Sequence, residues 1–490
     1  MRHERIQPFA KNRAYWQYQG QPTLLLGGSV EDNPFQLPEK AAEAAKSEHL
    51  GEGVGNSPDE FNLVYQLETL RAVGGNFIRC TMSCRDQGDV WPYCVDPQSG
   101  LYDLNLEEPE FWRRFERFLT LTQDRGIIVQ VELWATYDFY EREVRPGFFP
   151  WRHNPYNPAN NVNYGVEESG LPVELHSDGC CRLNPFFETV PELNDNRLLL
   201  GFQKAYVDRL LEIAFGYDHV LYCMDNETNA HPAWAAYWAR YVRQRAKEAR
   251  VEVETTEMWD SFDPTDGAVE GVARQPEETN PFVRRATPLN CLDHPELYTF
   301  FDISNHNAQR GETHYRTALW FRNKVHETGP VRPVHCDKMY GGDSGLDFAG
   351  TRRDGLERFW RNIFGGLAGC RFHRPPAGLG IDPEAQAHIR SMRMLTDALD
   401  IFTCNPRPDL FTERVENGAF CLADPGRAYA VVFLKKESCV LDLSAMNGKP
   451  ASLHWLHIAT ATWHEPKSVK PCPFFSLKPP DGALWVGLIQ

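Results

Sequence analysis

Short apolar runs alternate with stretches of helical period along most of this chain, the pattern of βα units around a parallel sheet. The first run spans residues 23–29 and follows an edge-like segment at residues 15–18. Over residues 60–73, Phe61, Val64, Leu67 and Leu70 share one helical face. Gly74-Gly75 ends that helix, and residues 76–80 read as the second strand. A helix over residues 110–123 stops at Gly126 and leads into residues 127–134, apolar enough to be buried on both faces. A polar insertion at residues 137–192 follows, rich in Asn, Pro and aromatics; loops of that length are uncommon unless they serve function. Residues 196–214 are helical, residues 219–224 form a fourth strand, and the helix 233–249 leads to a fifth strand at 251–257. Residues 301–304, 333–337 and 367–372 supply the sixth, seventh and eighth, with a helix at 353–365. Eight strands with helices between them make a closed α/β unit, the (β/α)8 TIM barrel, the economical reading for residues 1–404, with an N-terminal strand extension.

After a helix ending near Leu399 the pattern changes. Residues 419–422, 428–434, 439–443 and 484–488 are short apolar strands separated by Gly, Pro and Asn turns, with no helical period between them. This predicts an antiparallel β-sandwich over residues 405–490. Packing against the barrel is its expected role, with carbohydrate binding and homo-oligomer formation as alternatives.

A net charge of −16 argues against a nucleic-acid partner, which needs a basic surface. Thirteen cysteines, an odd number without a zinc-site spacing, fit a reducing compartment better than a disulfide framework. Residues 1–5 are charged and polar with no apolar stretch behind them, and no window is long and apolar enough for a membrane span. The expectation is a cytoplasmic chain that needs no cofactor.

Barrel enzymes carry their chemistry at the C-terminal ends of the strands. Met224-Asp225-Asn226-Glu227-Thr228 lies at the end of the fourth. It resembles the Asn-Glu pair of the large clan of retaining glycoside hydrolases built on this barrel. Asn76-Phe77-Ile78-Arg79 is similar to that clan's second-strand segment, whose Arg supports the nucleophile. Trp16–Tyr18, Gly20, Pro22 and Leu26-Gly27 are similar to the opening strands of barrel glycosidases that carry a C-terminal sandwich. The resemblance implies a carbohydrate substrate, Glu227 as the acid that protonates the leaving oxygen, Asn226 on the sugar 2-hydroxyl and Arg79 in support. The bland readings are a helix-terminal acid favoured by the macrodipole for Glu227 and a structural ion pair for Arg79.

One departure weighs against the match. The clan's nucleophile is a Glu ending the seventh strand, and here that stretch reads His335-Cys336-Asp337-Lys338-Met339-Tyr340-Gly341, with Lys338 near the Glu position. Successive strand residues face opposite sides, so Asp337 and Lys338 are not expected to point inward together. The second carboxylate is then Glu257, with Asp337 close behind it; Asp260 also ends the fifth strand and Glu132 the third. Trp134, Asn305, His306, Lys338, Arg371 and His373 fall at strand ends as candidate substrate contacts. Arg371, His373, Arg374 and Lys338 together would suit a carboxylate or sulfate on the sugar, since guanidinium forks onto planar anions. Two rivals stand beside the glycoside hydrolase. One is a metal-dependent barrel hydrolase using His335-Cys336-Asp337, His306 and His373, although no His-x-His marks the first strand. The other is a non-catalytic carbohydrate-binding protein on a decayed barrel.

Overall fold

The computed structural model describes residues 5–38, 62–175, 184–260, 265, 267–272, 288–304 and 309–490. Eight parallel strands form its centre: β1 Leu25–Gly28, β2 Phe77–Thr81, β3 Ile128–Trp134, β4 Val220–Asp225, β5 Thr255–Thr256, β6 Phe301–Asp302, β7 Val334–Met339 and β8 Gly369–Phe372. They pair in the order β5-β4-β3-β2-β1-β8-β7-β6. The seam between β5 and the approach to β6 is bridged by the Thr299 amide on the Thr255 carbonyl (2.8 Å) and the Thr256 hydroxyl on the Phe300 carbonyl (2.7 Å). Every residue of β3 and β4 is buried, as strands covered by side chains on one face and helices on the other must be. The strands approach closely: a Cβ added at Gly27 would lie 1.9 Å from the Phe77 carbonyl oxygen of β2.

Among the described residues the α-helices longer than one turn are α1 Leu63–Ala72, α2 Pro109–Gln123, α3 Arg197–Ala214, α4 Pro232–Ala249, α5 Leu289–Asp293, α6 Gly311–Thr328, α7 Arg352–Phe364 and α8 Pro383–Ala398. Their boundaries follow local chemistry. Pro109 opens α2 behind Glu108, which caps the Glu110 amide, and Phe111, Trp112, Phe115, Phe118 and Leu119 make its buried stripe. The Asn196 side chain caps α3 at Leu199, and Thr351 with Asp354 forms a capping box on α7. No helix among the described residues is long and apolar enough to cross a membrane.

Two predicted strands come out differently. The run 23–29 divides, because Gln19 and Gly20 both adopt left-handed backbone and make a two-residue turn. Gln21–Thr23 therefore pairs back on Trp16–Tyr18 in a small sheet with Gln7–Pro8, and only Leu25–Gly28 enters the barrel. Trp16, fully buried, seals the barrel's lower end against Phe300 (5.2 Å) and His335 (6.1 Å). The fifth strand, expected over 251–257, pairs only at Thr255 and Thr256.

The described part of the insertion after β3 gathers its aromatics onto the barrel's core, with Phe139 stacked on Phe186 at 4.2 Å and Phe186 5.4 Å from Trp134. Its asparagines have a structural use. Asn154, Asn157 and Asn161 turn their amides onto backbone carbonyls of Asp138, Trp151, Val173 and Pro155, replacing the ladder that irregular backbone lacks.

The C-terminal part has a seven-stranded and a three-stranded antiparallel sheet. Alternation along its strands explains why both faces of the larger sheet are buried. Ala419, Cys421, Tyr429, Val431 and Phe433 face the core shared with the smaller sheet, whereas Phe420, Leu422, Ala430 and Val432 join the core of the barrel. Phe420 packs at 4.3 Å on Tyr315 of α6.

Gly27→Ala is expected to cost about 1–3 kcal/mol of stability, the usual range for overpacking. The readout is a lower denaturant midpoint at unchanged slope. A variant as stable as the parent would contradict so close an approach of β1 to β2.

Candidate functional site

Asn226 and Glu227 follow directly on β4, at the C-terminal end of the barrel. Their backbone is fixed from β3. The Asn226 amide donates to the Trp134 carbonyl (3.0 Å), and the Thr136 hydroxyl donates to the carbonyl of Asn226 and, at 3.4 Å, to that of Glu227. Glu227 has φ +52°, a left-handed conformation that costs a side-chain-bearing residue of order 1–3 kcal/mol and persists only where neighbours enforce it. The strain aims the carboxylate across the barrel mouth.

Arg79 of β2 organises the floor beneath. Its guanidinium forks onto Glu132 through Nε (2.6 Å) and Nη2 (2.9 Å), and Nη1 reaches Asp32 at 3.1 Å. Nη2 also donates to Oδ1 of Asn226, and Nε lies 3.9 Å from Asp337. The ion pair weighed for Arg79 is present, and the same guanidinium contacts Asn226. Asn226, its Oδ1 occupied, keeps Nδ2 to donate to a ligand.

The seventh strand contradicts the expected alternation. Four residues of β7, Cys336 to Met339, stand against three of β8, Cys370 to Phe372. This bulge adds a residue to the strand and re-aims its end. Asp337 and Lys338 consequently both turn inward. Asp337 lies in the barrel interior, while the Lys338 ammonium forms an ion pair with Oε1 of Glu227 and stands 5.5 Å from the Tyr340 ring centroid. Both partners are nearly buried, with side chains 5% and 11% exposed.

Asp337 belongs to a closed polar layer. Gln130 Nε2 donates to Asp337 (2.7 Å) and to Asp302 (2.8 Å), and Gln130 Oε1 meets His335 Nε2 at 2.7 Å. The Ser304 hydroxyl contacts carboxylate oxygens of both Asp302 and Asp337, the latter at 2.9 Å. One hydroxyl has one proton, so one of these contacts requires a carboxyl group that itself donates. Burial, reinforced by Asp302, pushes Asp337 up to about 7, and burial pushes Asp302 up to about 6. Burial also holds His335 down to about 3, so it is neutral. Asp337 and His335 are committed to one another's layer rather than to the mouth.

Glu257, the first choice for second carboxylate, is not brought to Glu227. It is fully buried, and its Oε1 accepts the backbone amides of Asp225 (3.1 Å) and Met258 (2.7 Å). Burial, with the neighbouring Asp225 carboxyl, drives it well above the usual carboxylate range. The short β5 explains this: the chain turns after Thr256 and closes Glu257 onto the end of β4. Trp134 is no sugar platform either; it is buried against Tyr206 (5.2 Å) and Trp238 (5.2 Å) of the surrounding helices. Asn305 and His306 lie outside the described residues.

The basic residues after β8 meet acids of the chain itself. Asp32 is contacted by Arg79, by Arg374 Nε (3.1 Å), Arg85 (3.3 Å), His373 (3.5 Å) and Arg371 (3.6 Å). Burial opposes its ionisation, but His373, Arg79, Arg374 and Arg371 outweigh that and hold its carboxyl well below the usual range. Arg374 also pairs with Glu31 (2.9 Å) and Asp86 (3.4 Å). The expected anion-binding role of Arg371, His373 and Arg374 thus finds the charge of both arginines already engaged, while burial holds His373 well below the usual imidazole range.

Sequence reasoning missed Asp32, Tyr137, Tyr340 and the Gln130–Ser304 layer. Asp32 follows β1, and its position after a strand end was the available signal. Tyr137 opens the insertion, where charges of Glu227, Lys338, Arg85 and Asp260 all act on its phenol. Asp260 is the partly exposed acid of this group, its amide tied to the Thr228 carbonyl at 2.7 Å. Among the described residues no group of three His, Cys, Asp or Glu is arranged to hold a metal ion.

No protein-family model matches the sequence, and no curated protein matches it. Solved structures do resemble it. A glycoside hydrolase superposes with a TM-score of 0.61 at 12% identity, covering 99% of this chain and 97% of its own. A glycoside hydrolase family 5 protein from Bacteroides vulgatus ATCC 8482 has a TM-score of 0.61 at 11% identity, with 99% and 94% covered. At such identities the likeness establishes a shared fold, a (β/α)8 barrel with C-terminal antiparallel sheets, over the whole chain.

The Asp302–Asp337 pair sets a pH dependence. Unfolded, both carboxyls ionise near pH ~4, whereas folded they hold protons to about 6 and 7. The native state therefore binds more protons across that window, and this stabilisation is complete below ~4 and lost as pH rises through 6 and 7. Denaturant unfolding at acid and alkaline ends of the window should find the parent weaker at the alkaline end. Asp337→Asn should flatten the decline, and an unchanged slope in that variant would refute a shared proton.

Proposed function

We propose that this chain is a glycoside hydrolase acting at the C-terminal mouth of its barrel, with Glu227 as the acid. The observation that carries the reading is the Asn226-Glu227 pair at the end of β4, strained at Glu227, pinned by Thr136 and joined through Asn226 to Arg79. An acid at the barrel mouth with a donor amide beside it suits a glycosidic oxygen flanked by a sugar hydroxyl. The whole-chain likeness to glycoside hydrolases supports the same class.

In this proposal Asp260 is the second carboxylate. What favours it over Glu257 and Asp337 is access: it is partly exposed and shares Tyr137 with Glu227, whereas the other two are sealed. Glu227, protonated, gives its proton to the glycosidic oxygen as the bond from that oxygen to the anomeric carbon breaks. Water attacks the anomeric carbon, and Asp260 takes the water's proton. The products are a free alcohol and a hemiacetal, and solvent returns the proton from Asp260 to Glu227. A base acting through water predicts inversion at the anomeric carbon.

Glu227→Gln should lower kcat on natural glycosidic bonds by roughly 10²–10⁴-fold, the usual worth of positioned acid catalysis. Aryl glycosides whose leaving group departs without a proton should lose far less. Equal losses on both would remove Glu227 from the acid's role, and turnover untouched in both would remove it from the site.

A further inference from the structure

We propose that Lys338 is the anchor for an anionic substituent of the sugar, a uronic carboxylate or a sulfate ester, and that binding this group releases Glu227 from its ion pair. The inference rests on the reading of Glu227 as the proton donor and names the substrate class for that site.

Lys338 and Glu227 are in contact, and their side chains are only 5% and 11% exposed. A carboxyl group that is to donate a proton must first be neutral. Neutralising Glu227 removes one negative charge from contact with a nearly buried ammonium, whatever else Lys338 touches. Removing one partner from a buried pair is strongly unfavourable, because the remaining charge stays desolvated. A neutral sugar offers only hydroxyl dipoles in exchange. An anionic substituent restores the lost charge at the same ammonium and leaves Glu227 to take a proton and turn to the glycosidic oxygen.

The other cations of the mouth are poorly suited to this duty. Arg79, Arg85, Arg371 and Arg374 all lie within 3.6 Å of Asp32, and Arg79 is further forked onto Glu132. Lys338 differs in that its carboxylate partner is the reacting acid itself. Its position has a structural cause as well, since only the bulge in β7 turns it inward beside Asp337. Tyr340, 5.5 Å from the ammonium, supplies a wall against which a sugar ring could lie.

The test is calorimetric binding with matched ligands on the full chain: oligogalacturonides and carboxyl-reduced counterparts, and chondroitin sulfate oligosaccharides with desulfated counterparts. Parent protein and Glu227→Gln, Lys338→Met and Lys338→Arg variants are compared, each checked for folding by its thermal transition. Glu227 competes with the ligand anion for Lys338, so Glu227→Gln should bind the anionic member of one pair at least roughly tenfold more tightly than the parent does, with the neutral member unchanged. Lys338→Met should bring the anionic-to-neutral ratio toward one, and Lys338→Arg should keep most of it. Discrimination within the galacturonide pair identifies a carboxylate, and within the chondroitin pair a sulfate. The inference is overturned if Glu227→Gln tightens both members alike, if the parent and Glu227→Gln bind no member of either pair, or if the ratio survives in Lys338→Met. Hydrolysis of neutral glycans with no anionic preference overturns it too, while leaving the hydrolase reading intact. Anion-selective binding without turnover of any glycan supports the Lys338 anchor and instead overturns the hydrolase reading.

Discussion

The Arg79 guanidinium is sealed inside the barrel with a full positive charge, and the upper end of the molecule is arranged around that fact. A buried ion is tolerable only when opposite charge and hydrogen-bond acceptors surround it. Glu132 from β3 and Asp32 from the segment after β1 supply the charge, and Asn226 beyond β4 supplies an amide oxygen. Four consecutive staves are thereby tied at their C-terminal ends by one side chain. The orientation of Asn226 follows from this, and with Thr136 holding the next carbonyl, so does the backbone at Glu227. Asp32 gathers three further arginines in turn, so this acidic chain sets several positive charges together near the mouth.

Against this cationic floor, the carboxylates divide by solvent access. Asp337, Asp302 and Glu257 are enclosed, and burial keeps protons on them that water would remove. Glu227 and Asp260 stand higher, where a ligand could reach them.

Most of the barrel was legible because its signals are periodic. The apolar stripe of α2 and the doubly buried run of β3 need no tertiary information to be recognised. Asn226, Glu227 and Arg79 were legible for a related reason: a strand end in this fold is a place in space as well as in sequence. The failures come where regular repetition stops. Alternation is a rule for unbroken strands, and the extra residue in β7 turned Lys338 inward against it. Glu257 was misplaced because β5 pairs for only two residues, so the chain has already left the strand when it reaches the carboxylate. Trp134 ends a strand as expected but meets the aromatic side chains of α3 and α4, partners far away in sequence. Asp32 follows a run ending in two glycines, and beyond its place after a strand end it is marked by the convergence of five basic side chains, which the sequence does not display.

The C-terminal sheets bear on the same strand. Their larger sheet presents Phe420, Leu422, Ala430 and Val432 to the barrel, and Phe420 packs on Tyr315 of α6. Around that contact, Asn417 donates its amide to Glu312 of α6 (2.8 Å) and accepts from Arg361 of α7 (3.0 Å), while Arg353 of α7 reaches the Leu434 carbonyl (2.6 Å). Helices α6 and α7 immediately precede and follow β7, the strand whose bulge delivers Lys338 to Glu227. A bulge relaxes the ladder on its own strand, so the position of that strand must be held from outside the sheet. The antiparallel sheets provide that support by clamping the two flanking helices, which joins the packing of the last ninety or so residues to the geometry of the ion pair at the mouth.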